Sequence, residues 1–195
     1  MASLQNHHKK ALFALLVLVG IAALIFYWRV GSETNPGDYQ VKKGNYRLED
    51  GQYEEAIKEF SLALEKNPDH VYAHLGLAIT YMQMERYDEA EAKFNTTIEL
   101  APELAVAYAD RGILYDRTEQ YYLALSDYKQ ALTLDNEILE GPGWLWRFMR
   151  NIDKKPPAIA DRAAYLEAEL EKSPEERLLN VPEKDQEQRM YKVDD

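Results

Sequence analysis

His70 and His74 stand four residues apart, a spacing that lets two imidazoles on one helix face chelate a metal ion. His70, however, lies beside the Asn67-Pro68-Asp69 turn, before the helix that holds His74, and no acidic partner stands at a supporting distance in sequence. Two histidines without a third ligand are a poor metal motif, so no metal site is expected. The other histidines, His7 and His8, flank an apolar run. Neither a Gly-rich phosphate loop, a nucleophile elbow nor an HExxH motif is present, and there is no cysteine to serve as nucleophile, thiolate ligand or disulfide partner. The expected protein is not an enzyme and carries no cofactor.

Charge narrows the partners. The chain has 195 residues and a net charge of −11. Lys9, Lys10, Arg29 and Glu33 are the charged residues of the first 37, a local net of +2, which leaves −13 for the remainder. An acidic body repels phosphate backbones, so nucleic acid is not an expected partner. The Asp and Glu residues fall mostly on outer helix faces, the usual place of a solvated surface.

Ala11 to Trp28 (ALFALLVLVGIAALIFYW) contains no charged residue. Eighteen helical residues span roughly 27 Å, close to a hydrocarbon core. Tyr27 and Trp28 end the run with rings suited to a membrane interface. A cleaved signal peptide has a shorter apolar core and a small-x-small site; Phe26-Tyr27-Trp28-Arg29 is poor cleavage context and Val30-Gly31-Ser32 is a weak one. The expectation is an uncleaved transmembrane anchor at 11–28 behind an N-terminal flank, 1–10. Lys9 and Lys10 outweigh Arg29, which puts the N-terminus in the cytoplasm and the body outside, periplasmic in a bacterium. Residues 29–37 read as a linker.

From residue 38 to 136 the sequence repeats with a period of 34. Tyr53, Tyr87 and Tyr121 keep the step, as do Ala56, Ala90 and Ala124. So do Gly44, Ala78 and Gly112, and the aromatics Phe60, Phe94 and Tyr128; Pro68 and Pro102 follow it with Asn136 in the third slot. A fixed period of this length means stacked repeats, each unable to bury its own face alone. Gly51 separates two helical patterns, and Ala56, Phe60, Ala63 and Leu64 share one face of the second.

These positions resemble the tetratricopeptide repeat (TPR) family. The resemblance implies an all-α fold: a right-handed TPR superhelix of three helix-turn-helix repeats (37–70, 71–104, 105–138). With the anchor and a C-terminal capping helix, this completes the expected architecture. It also implies that the first helix of each repeat lines a concave surface. The matching positions are Asp38, Val41, Lys42, Asn45, Leu48 and Glu49; then Tyr72, Leu75, Gly76, Ile79, Met82 and Gln83; then Val106, Ala109, Asp110, Ile113, Asp116 and Arg117. The middle of this set is apolar where a solvated groove would be polar, and an exposed apolar patch marks a contact site. The groove residues expected to hold a partner segment are Asn45, Leu48, Tyr72, Leu75, Ile79, Met82, Val106, Ala109, Ile113 and Arg117. Filling by the chain's own C-terminal region is the competing reading. The terminal-carboxylate clamp of some family members is not met: Asn45 fits, but Val41 stands where a lysine belongs.

After the repeats, 137–173 form a capping region. Gly141-Pro142-Gly143 turns the chain, and Trp144 and Phe148, at i,i+4, share a helix face that can cover Tyr128, Leu132 and Leu134 at the solenoid's end. Trp146, with Arg147 and Arg150, is left over as a second candidate surface. Ala158–Ser173 is expected as a capping helix with Ile159, Ala163, Leu166 and Leu170 on one face; Pro174 ends it and Glu175 to Asn180 add one turn. The tail to residue 195 is polar. Asn95-Thr96-Thr97 matches a glycosylation sequon inside a predicted helix.

The function that follows is a membrane-anchored docking module for a protein partner, assisting a cell-envelope complex. Its alternatives are a structural subunit whose groove is permanently filled, or a cytosol-facing organelle import receptor of opposite orientation.

Overall fold

The computed structural model describes residue 15 and residues 17–22, 35–135 and 158–180. Two compact units divide the chain, residues 1–35 and 36–195. In the first, residue 15 and residues 17–22 are helical, with Leu15, Leu18 and Val19 well exposed. The rest of the run expected to span a membrane lies outside the described residues. Among those described, no helix is long and apolar enough to cross one.

In the second unit six helices form three antiparallel pairs: α1 (Asp38–Glu49) with α2 (Tyr53–Lys66), α3 (Val71–Gln83) with α4 (Tyr87–Leu100), and α5 (Ala105–Arg117) with α6 (Tyr121–Leu134). Each second helix packs on the first helix of the next pair, α2 on α3 and α4 on α5. A further helix, α7 (Ile159–Leu170), packs on α6, and a 3-10 turn follows at Pro174–Glu176. No strand occurs among the described residues. The architecture is an all-α helical repeat.

The 34-residue period sets the helix boundaries. Tyr53, Tyr87 and Tyr121 each open a second helix. Acidic pairs sit in the first turn of α2 (Glu54, Glu55) and α4 (Asp88, Glu89), where the helix dipole favours negative charge. The turn inside each repeat is the same motif three times. Gly51, Glu85 and Glu119 adopt the left-handed conformation (φ 71, 59 and 61°). The following amides reach back to close the helix, Gln52 to the Arg47 carbonyl (2.8 Å), Arg86 to Tyr81 (2.9 Å) and Gln120 to Tyr115 (2.7 Å). Only the first copy has the glycine this backbone favours.

The periodic small and aromatic residues build the core. Ala56, Ala90 and Ala124 are fully buried, as are Phe60, Phe94 and Tyr128. The Phe60 ring wedges between α1 and α3: a Cβ on Gly44 would lie 2.6 Å from it and one on Gly76 2.4 Å. Tyr128 presses on Gly112 in the same way, at 2.5 Å. The small positions therefore exist to admit the rings.

Residues 158–180 close the far side of α6. Ile159, Ala163 and Leu166 are buried against the core. The helix stops at Leu170, short of Ser173, because the Arg177 guanidinium takes the Leu170 and Lys172 carbonyls (both 3.0 Å) and folds the chain back. The extra turn forms at Pro174–Glu176, with proline supplying its first residue, and does not extend to Asn180. Arg177 to Leu179 run back beside α7: the Tyr165 hydroxyl donates to the Leu178 carbonyl (2.6 Å), and the Leu178 amide donates to Glu169 (2.8 Å).

Candidate partner-binding site

The first helices α1, α3 and α5 stand side by side and carry the residues assigned to the groove. Their exposure differs from the expectation of an open apolar surface. Leu75, Ile79, Met82, Val106, Ala109 and Ile113 are at most 5% exposed and belong to the hydrophobic core, and Leu48 is buried at 8%. What remains accessible is Tyr72, 43% exposed, the exposed Lys42, Glu49, Gln83 and Arg117, and half-buried Asp38 and Asn45. Trp144, Trp146, Arg147, Phe148 and Arg150 lie outside the described residues.

One polar group assigned to this face is engaged within the protein. Asp116, expected at an exposed groove position, is buried: both its oxygens accept from Arg162 of α7 (Nε and Nη2, each 2.7 Å), and Oδ2 also accepts from the Tyr128 hydroxyl (3.1 Å). Arg162 Nη2 additionally donates to the Leu179 carbonyl (3.0 Å). This buried bidentate pair ties the third repeat to α7 and to the returning segment. Sequence reasoning missed it because the partners are far apart in the chain. Arg162 was legible only as a charge beside the apolar stripe of α7.

The histidines serve packing. His70 is fully buried, with Nε2 3.0 Å from Asp38 Oδ1. The His74 Nε2 lies 2.9 Å from the Pro68 carbonyl, and burial lowers the His74 pKa from its usual 6.5. Their ring nitrogens thus address different partners. Among the described residues no group of three or more His, Cys, Asp or Glu side chains could hold a metal.

Arg111 centres a second cluster. Its Nε and Nη2 donate to Asp127 (2.7 and 2.9 Å), and Nη1 donates to Asn95 Oδ1 (2.6 Å). The guanidinium also lies over the Tyr108 and Tyr115 rings at 5.8 and 5.7 Å. Burial, with donation of its hydroxyl to Glu91 (2.9 Å), pushes the Tyr115 pKa up to about 12. Asp127 holds the Arg111 pKa above its ordinary value. The sequon Asn95 is thus a helix residue whose amide oxygen is already taken. A periodic signal existed in the sequence: the first repeat has the same pair, Lys43 to Glu59 (2.6 Å), while the second has Leu77 and Lys93 in those slots.

Two models of the tetratricopeptide repeat match the chain, one over residues 47–110 and one over residues 105–138. No curated protein matches it significantly. Solved structures share the fold. The first TPR domain of the human RPAP3 protein is 21% identical with a TM-score of 0.52, covering 69% of this chain and 97% of that one. The first TPR of Spaghetti (RPAP3), solved with the HSP90 peptide SRMEEVD, is 22% identical with a TM-score of 0.51, covering 62% and 92%. The TPR2B domain of yeast Sti1, solved in a complex with pHsp70, is 19% identical with a TM-score of 0.51, covering 61% and 94%. Residues 47–138 match models of the tetratricopeptide repeat, and the repeat period, the paired helices and the ring-into-glycine packing accord with that fold.

Proposed function

We propose that this chain is a non-catalytic protein-interaction module, held at a membrane by residues 11–28, whose repeats capture a segment of a partner protein on the face lined by α1, α3 and α5. The observation that carries the reading is the tetratricopeptide repeat itself, a fold that mediates protein–protein interaction and whose Spaghetti and yeast Sti1 examples were solved with peptide or protein partners. Anchoring rests on the uncharged run Ala11 to Trp28, and extracytoplasmic placement of the body on Lys9 and Lys10. An anchor raises the local concentration of the module along the membrane, which suits a factor that assembles or stabilises a cell-envelope complex.

Crosslinking pull-down from native membranes tests this, comparing wild type with Tyr72→Ala/Arg117→Glu. These side chains are accessible, so their loss changes the surface without opening the core. Leu75→Glu or Ile79→Glu would instead bury a charge and unfold the repeat. Loss of specific partners from the double variant supports the reading; an unchanged partner list removes this face from it.

The burial of Leu75, Ile79, Met82 and Ile113 favours a second reading, a structural subunit whose groove is permanently filled by its own tail or one partner. Deleting residues 181–195 discriminates. Faster hydrogen exchange at Leu75 and Ile79 marks the tail as the filler, and unchanged exchange rules the tail out.

A further inference from the structure

The outer face of α1 is unlike its counterparts. Tyr39 and Tyr46, 72% and 61% exposed, stand seven residues apart opposite the buried Val41, Gly44 and Leu48, with exposed Lys42 and Lys43 beside them. Thirty-four residues on, the same slots hold Ala73 and Thr80, and then Ala107 and Leu114, all fully or almost fully buried because α2 covers α3 and α4 covers α5. Among the described residues no helix covers α1 in that way. Lys42 occupies the slot that in α3 is Gly76, the glycine against which the Phe60 ring packs. A flat helix with small side chains and acidic edges complements these tyrosines and the Lys42 side chain.

The other end of the same unit offers such a helix. On α7 the buried residues Ile159, Ala163 and Leu166 face α6. The opposite face presents exposed Ala164 and Ala168, one turn apart, between exposed Asp161 and Glu171. Bulky tyrosines at one end answer small alanines at the other, and Lys42 answers a carboxylate, Lys43 being held by Glu59. We infer that the outer face of α1 docks the outer face of α7 of a second copy of this chain, head to tail. Tyr39 and Tyr46 lie on Ala164 and Ala168, and Lys42 approaches Glu171. Because the two surfaces are different patches, the contact leaves a free end on each copy and propagates unless it closes into a ring. The Lys42 stem can lie along the apolar strip while its ammonium group reaches the acidic edge.

Sedimentation of the full chain in detergent micelles, over rising protein concentration, tests the contact. The expected result is a mass that climbs past the dimer without a plateau. Lys42→Glu and, in a separate protein, Glu171→Lys each place like charges together and weaken association about tenfold. An equimolar mixture of these two variants regains association, because each altered end then meets an altered end of opposite sign. Tyr39→Ser/Tyr46→Ser weakens it without changing charge, and the melting temperature reports that each variant is folded. A full chain that stays monomeric overturns the inference. So do single variants that associate like wild type, which would assign self-association to another surface such as the 11–28 run, and so does a mixture no better than its components.

Discussion

Arg162 and Asp116 stand 46 residues apart in the chain and meet side by side inside the protein, two guanidinium nitrogens each 2.7 Å from a different carboxylate oxygen. The pair is the principal polar link between the repeats and α7, and it is almost wholly removed from water.

Arg162→Met should therefore destabilise the protein by about 3–5 kcal/mol, since it strands a buried carboxylate. The double variant Arg162→Met/Asp116→Leu should be markedly more stable than the single one, because no charge is left without its partner. Denaturant unfolding of the wild type, both singles and the double measures the coupling.

Gly76→Ala tests the ring-into-glycine packing. A Cβ at this position would sit 2.4 Å from the Phe60 ring. Overpacking costs about 1–3 kcal/mol, more than the roughly 1 kcal/mol of helix propensity that alanine brings. The expected net effect is a lower denaturation midpoint, partly restored by adding Phe60→Leu.

Glu85→Gly and Glu119→Gly should act in the opposite direction. Both glutamates hold the left-handed conformation that Gly51 holds in the first repeat. Removing the Cβ relieves roughly 1 kcal/mol at each site, offset in part by the greater freedom glycine has in the unfolded chain. Thermal melting should show each variant at or above wild type, and a clear loss at either site would refute the argument.

His74 makes stability pH-dependent. Its folded pKa is lowered by burial, so the unfolded chain binds the proton more readily. The contribution is complete above the ordinary value of 6.5 and is lost as pH falls below it toward the folded value. Unfolding free energy should fall on acidification through this range, and His74→Gln should flatten that part of the curve.

The 34-residue step made the repeats legible because identical slots do identical work: tyrosines open second helices, and rings fill the space that Gly44 and Gly112 leave. Local chemistry failed where the burial came from distant parts of the chain. Asp116 reads as an exposed groove residue within its own helix, and only Arg162 on a later helix makes it a buried one. Leu75, Ile79 and Ile113 look like a surface patch by repeat position, whereas they belong to the buried core. Glu85 and Glu119 gave no sign of their backbone, since the residue that announces it, glycine, is present only at Gly51.

The Arg111 cluster also fixes the order in which the copies must follow one another. Arg111 and Tyr115 of the third repeat find Asn95 and Glu91 in the second. The first repeat has Ser61 and Ile57 in the slots of those two residues and offers neither an amide nor a carboxylate. A shuffled chain, with the third repeat spliced directly after the first, would keep every helix-forming signal and lose both junction bonds. The three copies are therefore not interchangeable parts, and shortening or permuting the array would weaken the junction at the tyrosine and arginine of its third member.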